Sequence, residues 1–487
     1  MKSFFLFSKE TKGEGYVPNN EIFALASGLT GQNLTYSYTS SWLKYFCVNL
    51  LHMDPAKVGG IFSLSHIWDA INDPIVGGFV DRRKYKPFMK LRPYLLYTPP
   101  ILGILVSLMF FNVNFSENGK VAYILVLYFL FDLFYSFQDV SLWGMIALSS
   151  PHSQERSRVA QWVSIGAGAG GAIVGTFQQV RSILSGFGVP DVHIFLICAF
   201  VFGLGGELLS MNAYRLKERI HTQLPEEESL LESLTILRHN PTLLLISLAR
   251  FSQGLSPKVQ NAYFFENCVT LKVGNNTIDG MTAEFMYGLF AGIPGTFAMF
   301  FANKIADKMG GMKKILLSSQ IMAIALRVAI FFVGYNSLPK FIIMTLLTSL
   351  INLPGSMMDI AHRSLTSDSI DEVEYKTGIR SEGVSFSMQN FTTKMQSGVA
   401  SMLEGQILKR LGYDSYAKEQ GKPQNETFLK WQWPMFVLGP VVGAVLYLII
   451  ISFVKDDKNK RNKIEAALKE RRAKLETEKE QASVNTQ

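Results

Sequence analysis

Apolar runs close to the span of a bilayer recur along almost the whole chain, and they constrain its fold more than any other feature. Residues 121–135, 192–209, 315–335 and 434–454 are examples. A helix needs about 20 apolar residues to cross the hydrocarbon core, and counting such runs predicts about twelve spans. Strands would have to close into a barrel and alternate with a period of two, which these runs do not. The expected fold class is therefore all-α and integral to the membrane. Of 487 residues, 48% are hydrophobic and only 18% charged, which agrees with that reading. The net charge of +8 would suit a nucleic-acid partner if it were spread over one face. It is instead concentrated in alternate loops, as the positive-inside rule requires. The expected partner is the lipid bilayer, with no nucleic acid.

The loops predict the topology. Arg82, Arg83, Lys84, Lys86, Lys90 and Arg92 follow the second span, which places that loop and both termini in the cytoplasm. The loop with Glu117 and Lys120 has no basic excess and is expected outside. Residues 1–20 lack the apolar core of a signal peptide, so the first span is expected to serve as the insertion signal. Two six-helix halves are expected, 1–213 and 242–454, joined by a cytoplasmic linker at 214–241. That linker carries Arg215, Lys217, Arg219 and Glu226–Glu227–Glu228. Residues 455–487 read as a charged cytoplasmic tail with opposite charges four apart, such as Glu465 and Lys469. The Asp307–Lys308 turn of the second half echoes Asp81–Arg82 of the first, as two-halved transporters allow. Cys47, Cys198 and Cys268 are too dispersed for a disulfide framework or metal site.

Charges inside the spans carry the functional signal. Asp69 and Asp73, four residues apart, lie about 40° from each other around a helix and look the same way. Pro74 cannot donate to the carbonyl of Ala70. With the Asn72 amide this makes a cluster of oxygen ligands of the kind a hard monovalent cation takes. The bland alternative is that both acids are structural partners of basic residues on other helices. In the fourth span Ser136, Asp139 and Trp143 share a face. A carboxylate with an aromatic ring one turn away suits a sugar: the acid accepts from hydroxyls, and the ring stacks on C–H faces. Otherwise Trp143 anchors at an interface and Asp139 bridges helices. Asn33, Ser37 and Lys44 share a face of the first span and suggest a cavity wall. Asn33 and Ser37 equally suit interhelical hydrogen bonds, and Lys44 suits the outer interface. Gly166, Gly168, Gly170, Gly171 and Gly175 sit in an apolar span with no strand before them. They are expected to permit close helix packing rather than to bind a nucleotide. Arg250, Arg327 and Asp359 fall in later spans, and Lys394 lies deep in the eleventh, where it needs an acid or a wet cavity.

An enzyme is not expected, since of seven histidines only His66 reads as clearly intramembrane and no nucleophile accompanies it. A channel would need repeated pore-lining rings, which this asymmetric placement of charge does not supply.

Three motifs in order make the chain resemble a known family. They are WDAINDP at 68–74, the run Tyr135–Ser136–Asp139–Trp143, and DEVEYKTGIRSEG at 371–383 with Lys394 downstream. Over about residues 20–454 the chain resembles the glycoside–pentoside–hexuronide:cation symporters of the major facilitator superfamily. The resemblance implies a major facilitator fold and a functional monomer in the cell membrane. It implies import of a sugar or glycoside, coupled by alternating access to Na⁺, Li⁺ or H⁺, with no other cofactor. It also implies roles. Asp69, Asn72 and Asp73 match the family's cation site, with Ser136 as a hydroxyl ligand. Asp139 and Trp143 match its sugar-binding acid and stacking tryptophan. Lys394 matches the cavity lysine that balances the acids, and Asp81, Arg82 and Arg380 match cytoplasmic gating contacts. There are departures: melibiose-type members have an acid at the position of Asn33, an arginine at Ser164 and an aromatic residue at Asp359. Asn33, Ser164 and Asp359 are kept as substrate-site candidates, Asp359 as a replacement acceptor. The runner-up cargo is a lipid or another organic solute.

Overall fold

The computed structural model describes residues 16–82, 89–220, 240–298, 301–377, 382–417 and 420–455, with 463–464, 466–468 and 470. The side chains of 74, 81–82, 153, 302–303, 307, 382–384 and 386 are outside that description. Among the expected features, Arg83, Lys84, Lys86, Glu226, Glu227, Glu228, Arg380, Glu465 and Lys469 therefore lie outside the described residues. So do the side chains of Asp81, Arg82 and Asp307. The chain divides into two compact units, Met1–Pro225 with Lys418–Gln420, and Glu226–Ala417 with Gly421–Gln487.

The first unit holds α1 (Asn19–Asn49), α2 (Pro55–Arg82), α3 (Arg92–Met109), α4 (Glu117–Leu148), α5 (Ser153–Val174), α6 (Phe177–Gly186) and α7 (Asp191–Cys198). From α7 the chain passes through a π-helical turn, Ala199–Leu204, into α8 (Gly205–Ser210) and a 3₁₀ turn, Met211–Arg215. Local chemistry sets the ends. Pro18 and Pro190 stand in extended backbone before α1 and α7. The Ser116 hydroxyl accepts from the Gly119 amide and caps α4. At α3 a carboxylate does this from a distance. Glu218 accepts from the amides of Lys90, Leu91 and Arg92 at 2.8, 2.7 and 3.1 Å, where the helix leaves its first donors unpaired.

Helix α1 is the spine of this unit, and small residues let its neighbours approach. A side-chain carbon at Gly31 would stand 2.1 Å from the Gly206 carbonyl oxygen, and one at Gly166 2.2 Å from that of Ala26. The glycine run of α5 is thus a packing surface against α1, as its position in an apolar span predicts. Leu25, Leu29, Val76, Leu95, Leu142 and Val163 close the core near it. Nearer the other end Arg181 is fully buried. It pairs with Asp191 at 2.7 Å and lies over the rings of Tyr45 and Phe195, so its charge is matched rather than stranded.

The second unit holds α9 (Pro241–Gln253), α10 (Asn261–Cys268), α11 (Gly280–Ala298), α12 (Ala302–Met309), α13 (Met312–Val333), α14 (Leu338–Gly355), α15 (Met358–Thr377), α16 (Glu382–Arg410), α17 (Glu426–Val437) and α18 (Gly439–Ser452). A hairpin, β1 (Leu271–Val273) with β2 (Asn276–Ile278), lies before α11, its register pairing Leu271 with Ile278. Asn240 caps α9 through the Leu243 amide at 3.0 Å. One cluster packs Ile246, Ala249, Leu316, Ala361, Leu365 and Tyr447, and another Phe264, Phe265, Phe341, Met344 and Phe436.

Two expectations change here. By its charge the run 368–380 reads as a loop, but α15 continues to Thr377, and 378–380 lie outside the described residues. Charges there favour helix, since Lys376 pairs with Glu372 four residues back at 2.6 Å, and no glycine intervenes before 378. Secondly, His362 joins His66 as an intrahelical histidine. It is buried in the apolar stretch Leu338–Thr377, and its Nε2 meets the Tyr447 hydroxyl at 2.6 Å.

Five described stretches are long and apolar enough to cross a membrane: Glu117–Leu148, Asp191–Arg215, Met312–Val333, Leu338–Thr377 and Glu426–Ser452. Others are long helices whose polar content lowers their hydropathy, α2 with Asp69 and Asp73 among them. Large apolar side chains stand outward on the helices, such as Phe23, Ile75 and Phe332 at 70%, 61% and 80% exposure. Lipid would cover such surface.

Candidate functional site

Within the first unit the polar residues of the sequence analysis converge on α4. Asn72 of α2 is almost fully buried. Its Nδ2 donates to Ser136 Oγ at 2.9 Å and to the Asp132 carbonyl at 3.3 Å. The Ser136 hydroxyl is 2.8 Å from Asp73 Oδ1 and 3.0 Å from the same carbonyl, so its one proton serves either oxygen. Two helices are joined here by an oxygen-rich knot of a carboxylate, a hydroxyl, an amide and a backbone carbonyl. Asp69 lies one turn before Asp73, half-buried, within electrostatic reach of Tyr128 and Tyr135 on α4. α2 runs through Pro74 as helix, and because proline has no amide proton the Ala70 carbonyl goes without that helical donor.

No group of three or more His, Cys, Asp or Glu that could hold a metal ion occurs among the described residues. A multivalent site built on such ligands is therefore not found there. A monovalent cation asks for less formal charge and accepts neutral oxygens, which is what Asp73, Asn72, Ser136 and the Asp132 carbonyl offer. Those residues fit such an ion.

One turn along α4 from Ser136, Asp139 is half-buried. Its Oδ1 accepts from Gln32 Nε2 at 2.9 Å and from Trp143 Nε1 at 3.1 Å. The indole is thereby held against the acid while 44% of Trp143 remains exposed. Tyr135 stacks on Tyr36 of α1 with centroids 5.1 Å apart. Acid, indole and tyrosines make a surface that accepts from hydroxyls and stacks on apolar C–H faces.

Other candidates sit differently. Asn33 turns back on its own helix and donates to the Leu29 carbonyl at 3.0 Å. Ser164 does the same toward Ala160 at 2.9 Å. Gln32, next to Asn33 and almost fully buried, is the α1 residue that reaches Asp139. One residue on a helix is about 100° of rotation, and of the two Gln32, four residues before Tyr36, is on the side of α1 that meets α4. In the second unit Asp359 pairs with Arg250 at 2.7 Å. Lys394 is half-buried on α16. Arg250, read only as an intraspan charge, is the partner that the sequence did not assign to Asp359.

Comparison with known proteins follows the same lines. The profile of the family described as MFS/sugar transport protein matches residues 24–458. The uncharacterized symporter YjmB of Bacillus subtilis (strain 168) is 27% identical over 417 residues, 85% of this chain and 86% of that protein. The isoprimeverose transporter of Lactiplantibacillus pentosus is 23% identical over 448 residues, 91% of this chain and 90% of its own. Among solved structures, that of the nucleoside transporter NupG matches with a TM-score of 0.59 at 13% identity, covering 90% of this chain and all of NupG (100%). At that identity the likeness speaks for the fold alone.

Proposed function

The chain belongs to the MFS/sugar transport protein family, and from that membership we propose that it imports a sugar or glycoside coupled to a cation by alternating access. It is a multi-pass membrane protein and a transporter, not an enzyme. One observation carries the coupling. Ser136, bonded to Asp73 of α2, and Asp139, bonded to Gln32 and Trp143, stand one turn apart on the same helix. In this reading Asp69 and Asp73 bind one Na⁺, Li⁺ or H⁺, with Asn72 and Ser136 completing the shell. Without the ion two nearby carboxylates repel. The ion removes that repulsion and draws α2 and α4 together. Because α4 also bears Asp139 and Trp143, the sugar surface is set at the same moment. Coupling is then reciprocal, the cation raising sugar affinity and the sugar raising cation affinity by one factor. Each inward unit charge gains about 2.3 kcal/mol per 100 mV, enough for a roughly 50-fold sugar gradient.

The rest of the reading is held to the same proposal. Lys394, half-buried on α16, is a substrate-site residue in this reading. Asp359 and Ser164 tune the substrate, and Asp81, Arg82 and Arg380 act as gating contacts. The protein sits in the cell membrane as a functional monomer with both termini in the cytoplasm. Cysteines introduced at Glu117 and at Lys86 test the orientation: an external reagent should label the first and not the second, and the reverse pattern overturns it. The transport reading is tested with purified protein and a panel of hexoses, pentoses, uronic acids and glycosides. At least one should raise the melting temperature, more so in Na⁺ than in K⁺. No stabilisation by any sugar, alongside stabilisation by a lipid, would reject the sugar.

A further inference from the structure

Glu207 takes no part in the cation or sugar reading, yet its side chain is fully buried in the apolar stretch Asp191–Arg215. It stands on α8, directly after the π-helical turn Ala199–Leu204, and such turns inside helices recur at functional positions. The amide of Gln138, also fully buried, meets Glu207 Oε2 at 2.5 Å and Ser210 Oγ at 3.0 Å. The other carboxyl oxygen, Oε1, has no hydrogen-bond partner. Among the described residues no lysine, arginine or histidine pairs with Glu207.

The surroundings say which form of the acid fits. From α1, Thr35 lies against this turn: a side-chain carbon at Gly206 would stand 3.1 Å from its Oγ1. The single Thr35 proton is directed at the carbonyls of Phe202 and Gly203, each at 3.2 Å, and of Gly31 at 3.3 Å. Three carbonyls thus compete for the one Thr35 proton, while its oxygen keeps lone pairs to offer. Tyr38 spends its hydroxyl on the Phe195 carbonyl at 2.7 Å. From α3 come Gly103 and Val106, against Leu204 and Gly203, and beyond Tyr97 that helix has no titratable side chain. From α4, Tyr135 is within electrostatic reach of Glu207 and of Asp139, and Tyr36 of α1 stacks on it. No cation is in this set, and two acids are. A carboxylate here would need donors at both oxygens, at a depth where unpaired charge is costly. A carboxylic acid needs only one acceptor, and Thr35 Oγ1 lies against this turn with lone pairs to offer.

We propose that Glu207 is a proton-binding site, separate from the Asp69–Asp73 cluster, whose proton must be in place for Asp139 to hold its substrate geometry. The link to substrate rests on the reading of Asp139 above. Gln138 precedes Asp139 on α4, and Gln32 stands one turn before Thr35 on α1. The proton is taken from water and returned to it. When Glu207 ionises, the carboxylate draws donors into the junction of α1, α4 and α8, and the turn that carries Asp139 shifts with Gln138.

The test uses the full chain in lipid nanodiscs. The infrared carbonyl band of a protonated carboxylic acid should be present in wild type at neutral pH, absent in Glu207→Gln and retained in Asp139→Asn. An unchanged band in Glu207→Gln overturns the proton site, with no sugar involved. Next, binding of the panel sugar that most stabilises wild type is followed against pH. Affinity should fall by up to tenfold per pH unit above the pH at which the band is lost, the slope of one linked proton, and Glu207→Gln should be flat. A wild-type pH profile in that variant overturns the link to Asp139. If Glu207→Gln does not fold, Gln138→Leu takes its place and must shift the pH at which the band is lost; no shift overturns the site. If no sugar binds wild type, the infrared result still decides Glu207, while the sugar reading and the link that rests on it fail.

Discussion

Asp139→Asn, combined with Gln32→Met, tests how the substrate acid is held. The Asp139 Oδ1 accepts from both Gln32 and Trp143, at 2.9 and 3.1 Å. Asparagine keeps the shape and one acceptor oxygen but removes the charge. A hydrogen bond to a charged group contributes about 1.5–3 kcal/mol, so Asp139→Asn should weaken sugar binding by roughly 12- to 140-fold. Gln32 is almost fully buried, so its effect has to pass through Asp139. Gln32→Met removes a donor at nearly constant volume and should weaken binding by about tenfold, near 1.4 kcal/mol. In the double variant that loss should shrink, because the charge being positioned has gone and only a neutral acceptor is left. The assay is equilibrium sugar binding to purified protein for wild type, each single variant and the double. Melting temperatures report that each is folded. Fully additive losses would refute the positioning role, and wild-type affinity in Asp139→Asn would remove the acid from the site.

Asp73→Cys should abolish cation-stimulated uptake while sparing cation-independent exchange, and a variant that still accumulates sugar with normal cation dependence refutes the coupling assignment. Ser136→Ala removes the hydroxyl between Asn72 and Asp73 and should raise the half-saturating cation concentration at least tenfold in uptake assays, about 1.4 kcal/mol or more. Arg181→Met leaves Asp191 without its buried partner and should destabilise the fold by about 3–5 kcal/mol; an unchanged melting temperature would refute it. Gly166→Val places side-chain carbon into the Ala26 carbonyl, which even a Cβ would approach to 2.2 Å, and should sharply lower the yield of folded protein, whereas Gly168→Val, where nothing lies within 4 Å, should not.

Much of the site was legible because membrane depth makes polar groups rare and therefore informative. Asp69, Asn72, Asp73, Ser136, Asp139 and Trp143 stood out against apolar neighbours, and the structure joins Asn72 and Asp73 to Ser136, and Trp143 to Asp139. The same contrast should have exposed Glu207 and Gln138, but each sits in a run whose hydropathy is high enough to hide one polar residue. His362 and the helical extent of α15 were misjudged because a charged stretch reads as a loop when the pairing of its charges four apart is not weighed.

The sequence by itself determined the helical class and singled out the intraspan polar residues proposed to bind an ion or a hydroxylated solute, since both follow from the cost of exposing backbone and charge to hydrocarbon. Only the tertiary structure decided which of Gln32 and Asn33 reaches Asp139, which arginine takes Asp359, and that three carbonyls compete for the Thr35 proton beside Glu207. Those outcomes depend on the rotation and spacing of neighbouring helices. A residue's partner is set by about 100° of turn per position and by the glycines that let α1, α5 and α8 close on one another, neither of which is written in the identity of the residue alone.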